Sequence, residues 1–439
     1  MKRRSFLTIL MGVFWGFILN KVGWCSDKLV GMHMGFDGNR LGVDSDGFSH
    51  VYCASGDSPE HNMSSVLEMI GGISPLINPT DIVILKPNAQ WWSQGTTNTN
   101  AMKSFIDHVL AIPGFVGEII IAENHHFHDD NSRGWTTVNR NGDFNLNELV
   151  QFFQDNGHRN VTKYHWHDGG PSQSNMHGGA ENAGIVKCPR DGDGYVWCED
   201  LIYTSRSGRK AMMSYPVFTS SYSGITVDLK NGPWKNGKYL DSSIKLINFS
   251  ALNHHSSWAG ITASIKNYLG IVDLTCGYRG TKPEGFYNFH FIGNRSESLL
   301  PWRVQKILAR LGLYHMPHFD GGAVGYFMRH VRMADLNIMT ADWVGWGSRT
   351  DLELRTQAKM LLASTDPVAL DYYAAKNVLM PLTPEDKTHP EDGYYYYQCN
   401  DPDRADAPFN WYLRECHNQG IGNLDSKKMK IHQRENKIT

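Results

Sequence analysis

The sequence predicts an α/β fold: a mostly parallel sheet covered by helices on both faces, with a β-rich and loop-rich insertion. Apolar runs rich in Ile and Val alternate with segments whose apolar residues recur at helical spacing, which is typical of strand–helix–strand units. This alternation stops at residues 168–240, which are rich in Gly, Ser, Asp and Asn, and then resumes. The 439 residues, 41% hydrophobic and 20% charged, suit one large unit or two closely packed domains.

The individual elements follow from these patterns. Strands are predicted at 81–85, 118–122, 161–166, 244–252, 336–339 and 360–363. Helices are predicted at 102–110, 146–153, 259–269, 304–311 and from Pro367 onward. The domain boundaries are predicted as 1–26 for a signal peptide, 27–167 for a first α/β half, 168–240 for the insertion or small subdomain, 241–380 for a second half, and 381–439 for an aromatic and polar tail. The tail is expected to be polar from about residue 425 and to fray at its end.

The N-terminus has the pattern of an export signal. Basic residues precede an apolar stretch at 6–19 that is shorter than the ~20 residues of a membrane span. The string Arg3-Arg4-Ser5-Phe6-Leu7 resembles the twin-arginine signal. We therefore predict a protein that uses the twin-arginine export machinery, is cleaved close to residues 23–26, and works in the periplasm or is otherwise exported. An uncleaved anchor is the alternative.

The net charge and the distribution of apolar residues limit the kinds of partner that the protein can bind. A formal net charge of −2 gives no electrostatic footprint for nucleic acid. No stretch after residue 26 is long and apolar enough to form a stable membrane span. The expected partner, besides the export machinery, is a small-molecule ligand or substrate.

Seven cysteines are present, and loss of Cys25 with the signal would leave six. An even number in an exported chain is compatible with disulfides. Cys188–Cys198, around a turn at 191–194, and Cys399–Cys416 are the predicted pairs, and buried free thiols are the alternative. Because the chain has no Cys-x-x-Cys, no iron–sulfur cluster is expected.

Polar residues follow several predicted strands directly. In open α/β sheets, ligands bind beyond the carboxyl ends of the strands, so we expect these residues to converge on one pocket. They are Lys86, Asn88, Glu123, the histidines of 125–128, His165, His167, His254 and His255.

Within this set, histidines predict a metal site. His125, His126 and His128, with His255, carry the nitrogen ligands that a divalent transition metal such as zinc, nickel or iron prefers. A solvated loop is the alternative for the first three, since the chain has 20 histidines.

The remaining candidates are assigned by their chemistry. Glu123 suits a general acid or base, and Lys86 and Lys266 suit a base or a holder of an anionic group. Asn88, Asn267 and Asp371 are predicted to bind substrate. An exposed helix lysine is the alternative for Lys266, and a solvent-facing carboxylate for Asp371. Asp366 before Pro367 is predicted as a helix cap.

These motifs together resemble the family called domain of unknown function 362. The resemblance covers roughly residues 65–380 and rests on the strings at 71–73, 83–88, 121–123, 261–270 and 363–371. It implies the α/β fold. Many members of the family carry a ferredoxin-like iron–sulfur segment, which this chain lacks.

A second resemblance carries more chemistry. His255, followed by Trp258-Ala259-Gly260 and Lys266, is similar to the nickel-dependent lactate racemase, in which such a lysine bears a nickel-pincer nucleotide. The Gly-Gly before that lysine is Ser264-Ile265 here, and the racemase's substrate-binding Arg has no clear match.

The sequence therefore predicts an exported protein with a polar cleft at the strand carboxyl ends, acting as a metal-dependent hydrolase or isomerase of a small polar substrate. A non-catalytic periplasmic ligand-binding protein and a partner of a redox complex are the alternatives.

Overall fold

A mixed nine-stranded sheet forms the centre of the described part of the protein. The computed structural model describes residues 38–124, 133–167, 184–206, 208–274, 285–293 and 318–436. Apart from Gly38, all of these residues belong to the same compact unit. The strands of both sheets are β1 (Ser49–Ser55), β2 (Ile82–Pro87), β3 (Glu118–Glu123), β4 (Val161–His165), β5 (Ile185–Val186), β6 (Gly194–Thr204), β7 (Lys210–Thr219), β8 (Thr226–Asp228), β9 (Gly232–Lys235), β10 (Lys238–Tyr239), β11 (Ile244–Ser256), β12 (Gly260–Thr262), β13 (Leu336–Gly345), β14 (Thr356–Ser364) and β15 (Met429–Glu435).

The strand order of the central sheet is β15-β1-β14-β13-β11-β2-β3-β4, with β12 paired to β11. β13, β11, β2, β3 and β4 are parallel to one another, and β14 runs antiparallel to both of its neighbours. The predicted mostly parallel α/β sheet is therefore confirmed.

Helices cover both faces of this sheet. The helices are α1 (Pro59–Ile70), α2 (Thr99–Leu110), α3 (Leu146–Asp155), α4 (Ser264–Asn267), α5 (Gly321–His330), α6 (Pro367–Ala374), α7 (Met380–Leu382), α8 (Tyr396–Asn400) and α9 (Pro408–Asn418). Alternate residues of a strand face opposite sides, so Val83 and Leu85 pack with α1–α3, whereas Ile82 and Ile84 pack on the side of α4, α5, α6 and α9.

A second, six-stranded sheet has the order β10-β9-β8-β7-β6-β5. It falls within the stretch 168–240 and is antiparallel except for β5 and β6. Its core residues, such as Tyr215 and Phe218, share the hydrophobic layer that contains Ile82 and Ile84. Glu118, at the start of β3, accepts hydrogen bonds from Ser220 and Ser223 and so ties the two sheets together.

One predicted helix differs in the structure. The predicted helix at 259–269 is wrong in its first half: residues 260–262 form β12, which folds back antiparallel on β11. The left-handed φ of +72° at Gly260 permits this reversal. Helical structure begins only with α4 and continues as a 3-10 turn at Tyr268–Gly270. The polar part of the tail is ordered as far as β15, which pairs in parallel with β1 through its backbone while its polar side chains stay mostly exposed. The predicted helix at 304–311 lies outside the described residues.

Cys53, Cys188, Cys198 and Cys416 are free thiols, so neither predicted disulfide is formed. The predicted hairpin around Cys188 and Cys198 is also wrong, because β5 and β6 run parallel. Cys25 and Cys276 lie outside the described residues.

No helix among the described residues has the length and hydrophobicity needed to cross a bilayer.

Candidate functional site

Three of the predicted site residues meet at the carboxyl ends of β2 and β3. The Nζ atom of Lys86 donates to Oδ1 of Asn267 at 2.7 Å and lies 3.3 Å from Oε1 of Glu123. It also donates to the carbonyl oxygen of Pro87 at 2.8 Å. An ammonium group has three hydrogens, so this geometry gives each of them an oxygen.

This Lys86–Glu123 pair is fully enclosed by protein, since Lys86 is 0% and Glu123 1% exposed. Burial lowers the pKa of Lys86 to about 8, while the charge of Glu123 acts in the opposite direction. Lys86 therefore stays close to its titration point at neutral pH. A lysine with a pKa lowered in this way is neutral more often near neutral pH than an ordinary surface lysine.

A chain of side-chain amides leads away from Lys86 across the sheet. Asn267 donates to Asn248 at 2.8 Å, Asn248 donates to Asn337 at 2.9 Å, and Asn337 donates to the carbonyl oxygen of Ser364 at 3.2 Å. Every amide points its oxygen toward Lys86. Because aligned hydrogen bonds polarise one another, this amide chain strengthens the acceptor at Asn267 that holds the ammonium group.

The backbone fixes the same arrangement. Lys86, Asn248, Asn337 and Ser364 are direct partners on the adjacent strands β2, β11, β13 and β14. Gly270 supplies the space beside them, since a Cβ atom there would collide with Nζ of Lys86 and Oε1 of Glu123.

Asp371 positions α4 and, through it, Asn267. Its two carboxylate oxygens accept from the backbone N–H groups of Ser264 at 2.8 Å and Ile265 at 3.0 Å. Burial raises the pKa of Asp371 to about 7, while these hydrogen bonds oppose the shift. Both oxygens are thus used within the protein. Asn88 lies just beyond β2, where its backbone N–H donates to Oγ1 of Thr97 at 2.7 Å.

Asp366 caps α6, as predicted. Its Oδ1 atom accepts from the N–H groups of Val368 at 2.8 Å and Ala369 at 3.0 Å.

The two histidines at the end of β4, His165 and His167, are buried. His165 packs on Trp135 with ring centroids 4.2 Å apart, and burial lowers its pKa to about 3. Nε2 of His167 lies 3.5 Å from Oδ1 of Asp273.

A second group of site residues surrounds the end of β11. Nη1 of Arg349 donates to Nε2 of His255 at 3.0 Å, and Nδ1 of His255 lies 3.0 Å from Oγ of Ser256. Burial holds the pKa of His255 well below its usual value, and the positive charges of Arg349 and Lys266 lower it further. Nζ of Lys266 lies over the ring of Trp258 at 5.8 Å.

The neighbouring His254 is part of the core. Its Nδ1 lies 2.8 Å from Oδ1 of Asn400 and its Nε2 lies 3.0 Å from the hydroxyl of Tyr394. Burial lowers the pKa of His254 to about 3, so it is neutral under ordinary conditions.

The predicted metal ligands His125, His126 and His128 lie outside the described residues. Among the described residues, no group of three or more His, Cys, Asp or Glu side chains is arranged to hold a metal ion. Both ring nitrogens of His255 face protein partners, and the positive charges beside it would repel a divalent cation.

Sequence reasoning missed Asn248, Asn337, Gly270 and Arg349. Asn248 carried a detectable signal, because it is an amide inside an otherwise apolar strand. Arg349 carried none, since it lies in a loop far along the chain from His255.

Comparisons with known proteins assign one part of the chain. No curated protein and no solved structure matches it. A family model matches residues 233–376, which contain β11, α4, Arg349 and Asp371. This range ends before α7 and does not reach back to Lys86 or Glu123. Residues 233–376 match the family model described as domain of unknown function (DUF362), so this part of the chain is similar to that domain.

Proposed function

We propose that this protein is an enzyme that performs acid–base chemistry on a small polar substrate, as a hydrolase or isomerase. Lys86 exchanges the proton, Glu123 is its charge partner, and Asn267 orients the ammonium group. The observation that carries this proposal is the buried Lys86–Glu123 pair at the carboxyl ends of parallel strands, with the pKa of Lys86 lowered to about 8.

Stability alone is a weak reason for such a pair. Removing two charges from water costs several kcal/mol per ion, and well-packed apolar residues often serve stability as well or better. A titratable group with a shifted pKa, at the edge where open α/β sheets bind ligands, favours function instead.

The reaction class follows from the groups present. Because Lys86 is enclosed by protein, the proposal includes an opening of this site when the ligand binds. A neutral Lys86 then accepts a proton from a substrate carbon or from a water molecule, and the resulting ammonium is stabilised by Glu123 and by the amide chain. In a hydrolase the activated water would attack the substrate; in an isomerase the same proton would return to another position or face.

Proton abstraction is tested by solvent deuterium uptake, measured by ¹H NMR, into a panel of small hydroxy acids, keto acids and sugars. Hydrolysis is tested with nitrophenyl esters and phosphates. Lys86→Met and Glu123→Gln should abolish turnover, whereas Lys238→Met, an exposed lysine of β10, should leave it unchanged.

A different outcome would support the ligand-binding alternative. If the wild-type protein turns over none of these compounds, and Glu123→Gln keeps the wild-type affinity for a compound that binds, the enzyme proposal is wrong.

A divalent transition metal at His125, His126 and His128 belongs to the same proposal, as an activator of substrate or water. It is tested by metal analysis of protein purified from its export compartment. A metal content below about a fifth of a site per chain in active protein would contradict a single-metal mechanism.

Twin-arginine export is a separate proposal, supported by the Arg3-Arg4-Ser5-Phe6-Leu7 string. Replacing both arginines with lysine should leave the protein uncleaved and inside the cytoplasm, as measured by fractionation and intact mass. Cleavage near residues 23–26 in that variant would contradict it.

A further inference from the structure

We propose that Arg349 and His255 form a binding subsite for an oxyanion, a carboxylate or phosphate group carried by a small-molecule ligand. The subsite lies at the ends of β11 and β13, where His255 is the second-last residue of β11 and Arg349 follows β13 by four residues. This assignment goes beyond the proposed function, because binding of an anion here requires no proton transfer at Lys86.

The hydrogen bond between the two side chains fixes the charge of the subsite. Arginine is only a donor, so Nε2 of His255 must be the acceptor of the 3.0 Å bond from Nη1 of Arg349. The ring proton is then on Nδ1, facing Oγ of Ser256, and His255 is neutral. His255 therefore orients the guanidinium group without cancelling its positive charge.

No other described residue cancels that charge. Within the described ranges, His255 is the only hydrogen-bond acceptor for the Arg349 side chain, and no carboxylate forms an ion pair with it. A partly buried guanidinium group is normally paired with an acid. Nη1 donates to His255, so the remaining N–H groups of the planar guanidinium group are suited to donate to a carboxylate or phosphate.

The surroundings add positive charge and rigidity. The Cζ atom of Arg349 lies 4.3 Å from the ring centroid of Trp91, and that of Arg133 lies 5.1 Å from the same ring. The two charged side chains that shift the pKa of His255 most strongly, Arg349 and Lys266, are both positive. A concentration of one charge in a partly enclosed site attracts small ions of the opposite sign.

The loop that carries Arg349 is held before any ligand arrives. Nε2 of Gln94 donates to the carbonyl oxygens of Ser348 at 3.1 Å and Asp351 at 2.8 Å. Nδ2 of Asn253 in turn donates to the carbonyl oxygen of Gln94 at 2.8 Å. Since the guanidinium group is already ordered, binding costs less conformational entropy.

The test is the thermal shift produced by sodium phosphate and by sodium acetate, each compared with sodium chloride at equal ionic strength. Both oxyanions compete for the same guanidinium, and the stronger of the two identifies the preferred group. We expect a saturable rise in Tm for the wild-type protein. Arg349→Met should weaken the apparent affinity roughly ten- to hundredfold, the value of a charge-assisted contact.

Arg355 provides a matched control. Its Cζ atom stacks on Trp343 at 4.2 Å, but its charge acts on the nearby carboxylate of Asp342. Arg355→Met should therefore respond to both anions as the wild-type protein does. Arg349→Lys keeps the positive charge but loses the planar guanidinium group, so it should bind the anions with intermediate affinity. Retained binding in this variant would show that the loss in Arg349→Met does not result from misfolding.

The proposal is overturned if neither anion shifts the wild-type Tm beyond chloride, or if Arg349→Met binds as tightly as the wild-type protein. Neither result would bear on Lys86, because the measurement involves no turnover.

Discussion

Gly270 lies directly against the ammonium group of Lys86, and the buried Lys86–Glu123 pair occupies the space that a side chain at position 270 would fill. The backbone of Gly270 is not left-handed, so the demand for glycine here is steric. The pair and the glycine therefore depend on each other.

Gly270→Ala should destabilise the protein by about 1–3 kcal/mol, the usual cost of overpacking a filled interior. The free energy of unfolding in urea measures this. Gly184→Ala is the control, because a Cβ atom there meets nothing within 4 Å, and its stability should change by less than about 0.5 kcal/mol. Equal urea midpoints of unfolding for the two variants would contradict the prediction, because Lys86 and Glu123 could then move aside to make room for the methyl group.

The pKa of Lys86 predicts a specific dependence of stability on pH. Its folded pKa of about 8 is below the ordinary value of 10.5, so between these values the unfolded chain binds more protons than the folded one. Stability from this group must then rise with pH across that window. The wild-type protein should gain stability relative to Lys86→Met from pH 8 to pH 10, whereas Lys238→Met should follow the wild type. A constant difference between wild type and Lys86→Met would refute the shifted pKa.

Asp366→Ala should destabilise the protein by about 2 kcal/mol, near the upper end of helix-cap effects. The reason is that the carboxylate caps α6 and also accepts from Ser49 and from the N–H of Asn423 at 2.8 Å. Thermal unfolding of this variant should be compared with Asp351→Ala, which removes a cap from an exposed turn and should have little effect. Asp366→Asn, which can still cap, should lie between the two.

Thiol labelling should separate the described cysteines by exposure. Cys53, Cys198, Cys399 and Cys416 are buried and Cys188 is partly exposed. Iodoacetamide should modify Cys188 in the native protein and the other four only in denaturant, as read from peptide masses. A peptide that joins Cys188 to Cys198, or Cys399 to Cys416, would contradict the free thiols of Cys188, Cys198 and Cys416.

The sequence was most informative where one physical pattern dominated. Buried parallel strands are continuous apolar runs, which is why β2, β3 and the start of β11 were predicted within a few residues. It was misleading at 259–269, where Ile261 and Ile265 have helical spacing but belong to β12 and α4 on either side of a bend. It was silent about β15, since backbone pairing at a sheet edge leaves little trace in polar side chains.

The candidate site shows the same division. Lys86 and Glu123 were found because they follow or end predicted strands, and Asn267 because it directly follows Lys266. Asn267 accepts a hydrogen bond from Lys86, and Asp371 accepts from the first backbone N–H groups of α4. These contacts join residues far apart in the chain, so the sequence alone did not reveal them. Arg349 lies 94 residues from His255, a pairing that no local pattern encodes.

One row of polar residues also helps to set the register of four strands as the sheet assembles. It consists of Lys86, Asn248, Asn337 and Ser364. Successive residues of a strand face opposite sides, so a slip of one residue would turn an amide into the hydrophobic layer beneath α1–α3 and bring an apolar side chain into the polar row. A slip of β11 would break the contacts of Asn248 on both sides, toward Asn267 and toward Asn337. A wrong strand register therefore costs stability at the Lys86 site itself, so the contacts that favour the correct register are the ones that form the proposed active site.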